Sequence, residues 1–140
     1  MKVYLAGPIN GKADDECNGW RSHAKSYLSR HAVCIDPMSR DYRGKESNET
    51  ADEIVNGDIA DIRKCDVVLA NCEGASYGTA MEIAYSYMMH VPVVTWGSNS
   101  PWVLYHSTRF QSFQDALDYI RGEFHRDYSA ELLTTTRGNK

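Results

Sequence analysis

The chain of 140 residues predicts one α/β domain: a three-layer sandwich with a central parallel sheet of about five strands. Three observations carry this. Strand-like and helix-like segments alternate, which implies right-handed crossovers and helices on both sides of the sheet. The run CDVVLANC, residues 65–72, is almost continuously apolar, as in strands buried on both faces. The loops after the strands hold the glycines and hydroxyls, on the edge where open parallel sheets bind ligands.

The elements follow in order. KVYLA (2–6) is the first strand, and about 14–30 is a helix, with Trp20, Ala24, Tyr27 and Leu28 at helical spacing. AVCID (32–36) is the second strand. MSRDYRGKESNET (38–50) is polar and turn-rich, too long for a plain connector, and reads as a lid or binding loop. A helix over about 50–64 carries an apolar stripe of Ile54, Val55, Ile59 and Ile62, and the 65–72 strand follows. The next helix, about 79–90, is apolar nearly all round and reads as buried. VPVVTW (91–96) is a strand with Pro92 at its beginning, where proline is tolerated. A last helix is predicted at about 112–125. The domain is assigned to residues 1–125, and 126–140 reads as a polar tail, loosely held unless a partner subunit docks it.

Bulk composition narrows the function. Hydrophobic residues make up 42% of the chain and charged residues 24%, ordinary for a globular protein. The net charge of −4, without a clustered Lys/Arg face, argues against a nucleic acid polymer as partner. No apolar run reaches membrane-span length and the opening MKVYLAGP lacks a basic-then-apolar signal, so no membrane partner is expected. Cys17, Cys34, Cys65 and Cys72 are scattered, which predicts a reducing, cytoplasmic setting. The five histidines are equally dispersed, and no metal site is predicted.

The loops GPINGK (7–12) and EGASYGT (73–79) converge with 38–50 on one sheet edge. Glu82 lies just behind the second of them. Thr79–Glu82 fits a T-x-x-E capping box, in which the glutamate only returns a hydrogen bond. Alternatively, a carboxylate in the first helical turn is kept ionised by the helix dipole and faces a pocket as nucleophile or base. Asp58 falls inside the apolar stripe of its helix, between Ile54 and Ile62, where a charge needs a partner. It is either paired with a buried donor or an acid of raised pKa able to give a proton to a leaving group. Tyr4, on a strand buried on both sides, is either packing or a hydroxyl held by a neighbouring carboxylate. Ser76, Gly78 and Thr79 either cap a helix or offer hydroxyls and amides to an anion.

VYLAGPING (3–11), NGDIADIRKCDVVLAN (56–71) and SYGTAMEIAYSYMMHVPVV (76–94) together resemble the nucleoside 2-deoxyribosyltransferase family, which includes nucleoside 5′-monophosphate N-glycosidases. The likeness runs from Met1 to about Trp96. It implies a flavodoxin-like sandwich and cleavage of an N-glycosidic bond. By the same likeness Glu82 attacks the anomeric carbon, Asp58 lies near the base and Tyr4 holds the nucleophile. Gly7, Pro8, Ile9, Asn10, Ser76, Gly78 and Thr79 become substrate-binding residues for a small nucleoside or nucleotide. A homodimer or larger homo-oligomer is implied, with a neighbour's residues completing each site; His106, Arg109 and Tyr128 are the candidates for crossing over. Such chemistry requires no cofactor, because the sugar itself stabilises the developing positive charge. Ser76 stands where the transferases typically carry an acid and the monophosphate hydrolases a phosphate-binding serine, which leans toward a nucleotide.

Three rivals rank lower. A cytokinin-activating phosphoribohydrolase would carry P-G-G before its G-T-x-x-E segment, and this chain does not. A receiver-like signalling module would need an acidic cluster after the first strand, where Gly7 and Pro8 stand. A nucleotide-binding sensor without turnover would not need all three chemical residues.

Overall fold

Residues 1–124 are described by the computed structural model, and within them five strands alternate with five α-helices. In chain order these are β1 (Lys2–Ala6), α1 (Asp14–Leu28), β2 (Val33–Ile35), α2 (Ala51–Arg63), β3 (Val67–Asn71), α3 (Tyr77–Met88), β4 (Val93–Trp96), α4 (Pro101–His106), β5 (Thr108–Phe110) and α5 (Phe113–Tyr119). All strand pairs are parallel, in the order β2-β1-β3-β4-β5. The chain steps outward from β1 to β2, then crosses back to β3 on the other side of β1. That reversal opens a crevice beyond the ends of β1 and β3, the topological switch point where such sheets bind ligands.

Strand alternation divides the core. Val3, Leu5, Val67, Leu69, Val94 and Trp96 face α1 and α5, meeting Ala24, Leu28, Ala116 and Leu117. Tyr4, Ala6, Val68, Ala70 and Val93 face the other way, with Ile62 of α2 and Ile83 of α3. Trp96 anchors the first layer between Trp20, edge-on at 5.4 Å, and Phe113, stacked at 4.5 Å. Leu69 is fully buried, so its truncation to alanine would cost about 2–5 kcal/mol.

Several sequence expectations change in detail. β2 is shorter than the expected 32–36, spanning Val33–Ile35, and lies at the sheet edge with Val33 64% exposed. The fifth strand is Thr108–Phe110, preceded by α4, in a stretch where no element was assigned. α3 begins at Tyr77 and is not a buried helix: Tyr77, Met81, Tyr85 and Met88 form an outward stripe, with Tyr77 95% and Met88 75% exposed. Its apolar residues therefore exceed what this chain's own core consumes. α5 stops at Tyr119 and runs into a π-helical turn, Ile120–Phe124. The 126–140 tail and Tyr128 lie outside the described residues. Among those residues no helix is long and apolar enough to cross a membrane.

Candidate active site

β1 turns Tyr4 toward α3, and there its hydroxyl donates a 2.5 Å hydrogen bond to Oε2 of Glu82. Tyr4 is fully buried, whereas Glu82 keeps part of its surface open. The hydroxyl thus has the partner that a buried phenol needs. Burial, together with the charges of Glu82 and Asp58, pushes the phenol far above its ordinary range, so Tyr4 stays a donor.

The capping-box alternative for Glu82 is not realised. Ser76 is the N-cap of α3, accepting from the Thr79 amide at 3.2 Å and the Thr79 hydroxyl at 3.1 Å. Glu82 is therefore the sixth helical residue, beyond the first turn in which the dipole acts. The expectation of a carboxylate kept ionised there is corrected accordingly. Burial pushes its pKa up to about 8, Asp58 adds to the rise, and the Tyr4 hydroxyl and Arg21 oppose it.

Asp58 reaches the same region from α2, and its environment joins both readings of the sequence. Nη2 of Arg40 donates to Oδ1 of Asp58 at 3.1 Å and to Oδ2 of Asp61 at 2.7 Å. Asp58 is thus paired, yet burial still raises its pKa despite Arg40. Arg40 sits at the end of a tight 3₁₀ turn, Pro37–Arg40, within the segment read as a loop or lid. Farther along, Arg43 donates to Asp41, to Asp14 and to the Lys12 carbonyl. These bonds tie the segment to the loop after β1.

That loop is held from below by a residue the sequence reading passed over. Arg21, fully buried on α1, donates to the carbonyls of Leu5 at 3.3 Å, Gly7 at 3.0 Å and Cys17 at 2.7 Å, and pairs with Asp36 at 3.5 Å. The signal was present: Arg21 lies in the stripe of Trp20, Ala24 and Leu28, as Asp58 does in its own. Gly7 is buried where no side chain fits, because a Cβ there would stand 2.6 Å from the Trp20 ring.

A cavity of about 850 Å³ opens beside the N-terminus of α3. Pro8, Asn10, Ser76, Gly78 and Thr79 lie on its walls, joined by Lys12, which the sequence reading did not single out. Gly7 and Ile9 do not, and neither do Tyr4, Asp58 and Glu82. α3 shows Tyr77, Gly78, Thr79, Ala80 and Ile83 to this cavity, and Glu82 lies about 60° from Thr79 and about 100° from Ile83 around the helix. Glu82 and the cavity-lining Thr79 and Ile83 thus occupy adjacent sides of one helix. His106 and Arg109 stand apart from both. His106 packs with Tyr87 and Tyr105, and Arg109 is on β5, with β3 and β4 between it and β1.

The family model for nucleoside 2-deoxyribosyltransferase matches residues 3–117. The chain belongs to that family. Nucleoside 2-deoxyribosyltransferases are enzymes, and the α/β fold expected from the sequence is theirs. Among solved structures, the chain is similar to the 2-deoxyribosyltransferase of Bacillus psychrosaccharolyticus: 22% identity, 85% of this chain and 92% of that one, TM-score 0.64. It is also similar to the 2-deoxyribosyltransferase of Leishmania mexicana, with 18% identity over 85% of this chain and 95% of that one, TM-score 0.61. A third is a CMP N-glycosidase from Clostridium botulinum: 14% identity, 86% and 98% covered, TM-score 0.54. At these identities the structural likeness carries the fold. A search of the curated proteins finds no match.

Proposed function

We propose that this nucleoside 2-deoxyribosyltransferase-family enzyme cleaves the N-glycosidic bond of 2′-deoxynucleosides or their 5′-monophosphates, with Glu82 as nucleophile. The observation that carries the reading is the convergence of Tyr4 and Glu82, bonded at 2.5 Å, with Asp58 beside them at the switch point. Ionised Glu82 attacks C1′ while the bond from C1′ to the base nitrogen breaks. The bonding pair leaves with the base, which takes a proton from Asp58. The glycosyl ester on Glu82 is then opened by a second base or by water. The attacking base N–H or water gives its proton to Asp58 as the C1′–O bond to Glu82 breaks, and both carboxyl groups return to their starting state. Tyr4 holds the attacking carboxylate and lowers its proton affinity.

The cavity favours the monophosphate as ligand. Ser76, Asn10 and Lys12 line it at the positive end of α3, a setting suited to a phosphate. Ser76 precedes Glu82 by six residues, about 9 Å along the helix axis, comparable with the span of one nucleotide.

The working form in this reading is a homodimer or larger homo-oligomer. Tyr77, Met81 and Met88 on α3 are exposed, as are Trp102 and Tyr105 of α4 at 79% and 70%, and the two helices meet where Tyr87 packs on Tyr105 at 5.6 Å. A contiguous apolar face of this kind marks an interface, and a second copy would cover it.

The test is incubation with deoxynucleosides and their monophosphates, with and without an acceptor base. Free base or exchanged nucleoside is expected from the wild type and neither from Glu82→Ala. Tight binding with no base released would replace this reading with that of a sensor.

A further inference from the structure

We propose that Arg40 is a positioning residue for Asp58, and that Asp61 sets how much of its charge Asp58 feels. The inference rests on the glycosidic reading above, because that reading gives Asp58 a proton to deliver.

A single nitrogen of Arg40 serves two carboxylates one helical turn apart, the shorter bond going to Asp61. Two features show that the cation is placed. Gly57 precedes Asp58 in the middle of α2, where glycine costs about 1 kcal/mol against alanine. A Cβ at Gly57 would meet Cζ of Arg40 at 3.1 Å and Nη1 at 3.2 Å, so the missing side chain is the guanidinium's seat. The turn that carries Arg40 is anchored as well. Asp36 accepts from the Met38 amide at 2.8 Å and is itself held by Lys25 at 2.5 Å and Arg21 at 3.5 Å.

An arginine paired with Asp58 alone would fix the carboxylate but hold it ionised, which is the wrong state for a proton donor. Asp61 resolves the conflict. It supplies a second negative charge and takes the shorter bond, so Asp58 is oriented without being stripped of its proton affinity. The other groups facing Asp58 are Tyr4 from β1 and Glu82 from α3, with Tyr42 and its partner Glu53 farther out. Tyr4 and Glu82 are bonded to each other, whereas Arg40 bonds Asp58 and Asp61 directly, so the Arg40–Asp61 pair is the direct setting.

The experiment is a carbon-13 carboxyl NMR titration of Asp58 in the full chain without ligand, in wild type, Asp61→Asn, Arg40→Gln and Arg40→Lys. Asp61→Asn should increase the acidity of Asp58 about tenfold, Arg40→Gln should decrease it by a similar factor, and Arg40→Lys should lie between. Midpoints that agree across all four proteins overturn the proposal, and the conservative variant keeps the comparison alive if Arg40→Gln does not fold. A companion pH profile of base release from deoxynucleoside monophosphates should show the Asp61→Asn alkaline limb moved to lower pH, with KM within about twofold of wild type. Shifted midpoints with unmoved rate profiles would uphold the placement by Arg40 and overturn the donor role of Asp58, separating this proposal from the reading beneath it.

Discussion

Tyr4 and Glu82, 78 residues apart in the chain, are joined by a 2.5 Å hydrogen bond from phenol to carboxylate. The bond spans the sheet and the helix layer above it, so both elements must be in place for it to form. It opposes the burial that raises the pKa of Glu82.

Removing the phenol oxygen should therefore make Glu82 harder to ionise. Tyr4→Phe keeps the buried ring and loses the donor. Base release at pH 7 should fall about tenfold or more, and the rising limb of kcat/KM should move to higher pH. A loss of activity equal at every pH would assign Tyr4 to packing instead.

Stability should depend on pH through the same carboxyl. Its folded pKa, about 8, lies above the ordinary value of 4.5, so the native state holds a proton that the unfolded state has released. Stability from this group is complete below about pH 4.5 and declines as pH rises through 8. Glu82→Gln should flatten that decline and be more stable than wild type at pH 9 by roughly 1–3 kcal/mol. Urea melts at pH 6 and pH 9 measure the difference, and an equal decline in both proteins would contradict it.

The loop after β1 should be intolerant of a single methyl group. Gly7→Ala places a Cβ 2.6 Å from the Trp20 ring and 3.3 Å from Nη2 of Arg21. A destabilisation of about 1–3 kcal/mol is expected. Gly11→Ala, where a Cβ meets nothing but φ is +72°, should cost less, about 1 kcal/mol from backbone strain alone. Thermal denaturation of both variants ranks them, and the reverse order would refute the close-packing account.

If a second copy covers the α3–α4 face, charges there should disperse the assembly. Met88→Glu with Trp102→Glu should reduce the mass measured by light scattering to that of one chain while circular dichroism stays native. An unchanged mass would move the interface elsewhere.

Much of the fold was legible because its signals are local. The apolar runs of β3 and β1 each state their burial in five residues, and the α1 stripe does so within two turns. β5 and α4 escaped because three and six residues are too few to show a period. The α3 stripe misled for another reason: apolar composition nearly all round a helix does not say which of its faces meets the sheet, and Tyr77, Met81 and Met88 face away from it. At the site, Glu82 and Tyr4 stood out as polar groups in apolar surroundings. Arg21 carried the same signal on α1 and was passed over. Arg40 carried none, since one of two arginines in a polar stretch reveals nothing until Gly57 and two aspartates are seen beneath it.

The most direct measurement is mass spectrometry of the protein quenched during turnover of a 2-fluoro-2-deoxynucleoside, or of its monophosphate, whose fluorine slows breakdown of the glycosyl ester. The account predicts one glycosyl adduct, mapped to the peptide that contains Glu82 and missing from Glu82→Ala. Release of base without any adduct, or an adduct on another residue, would contradict it.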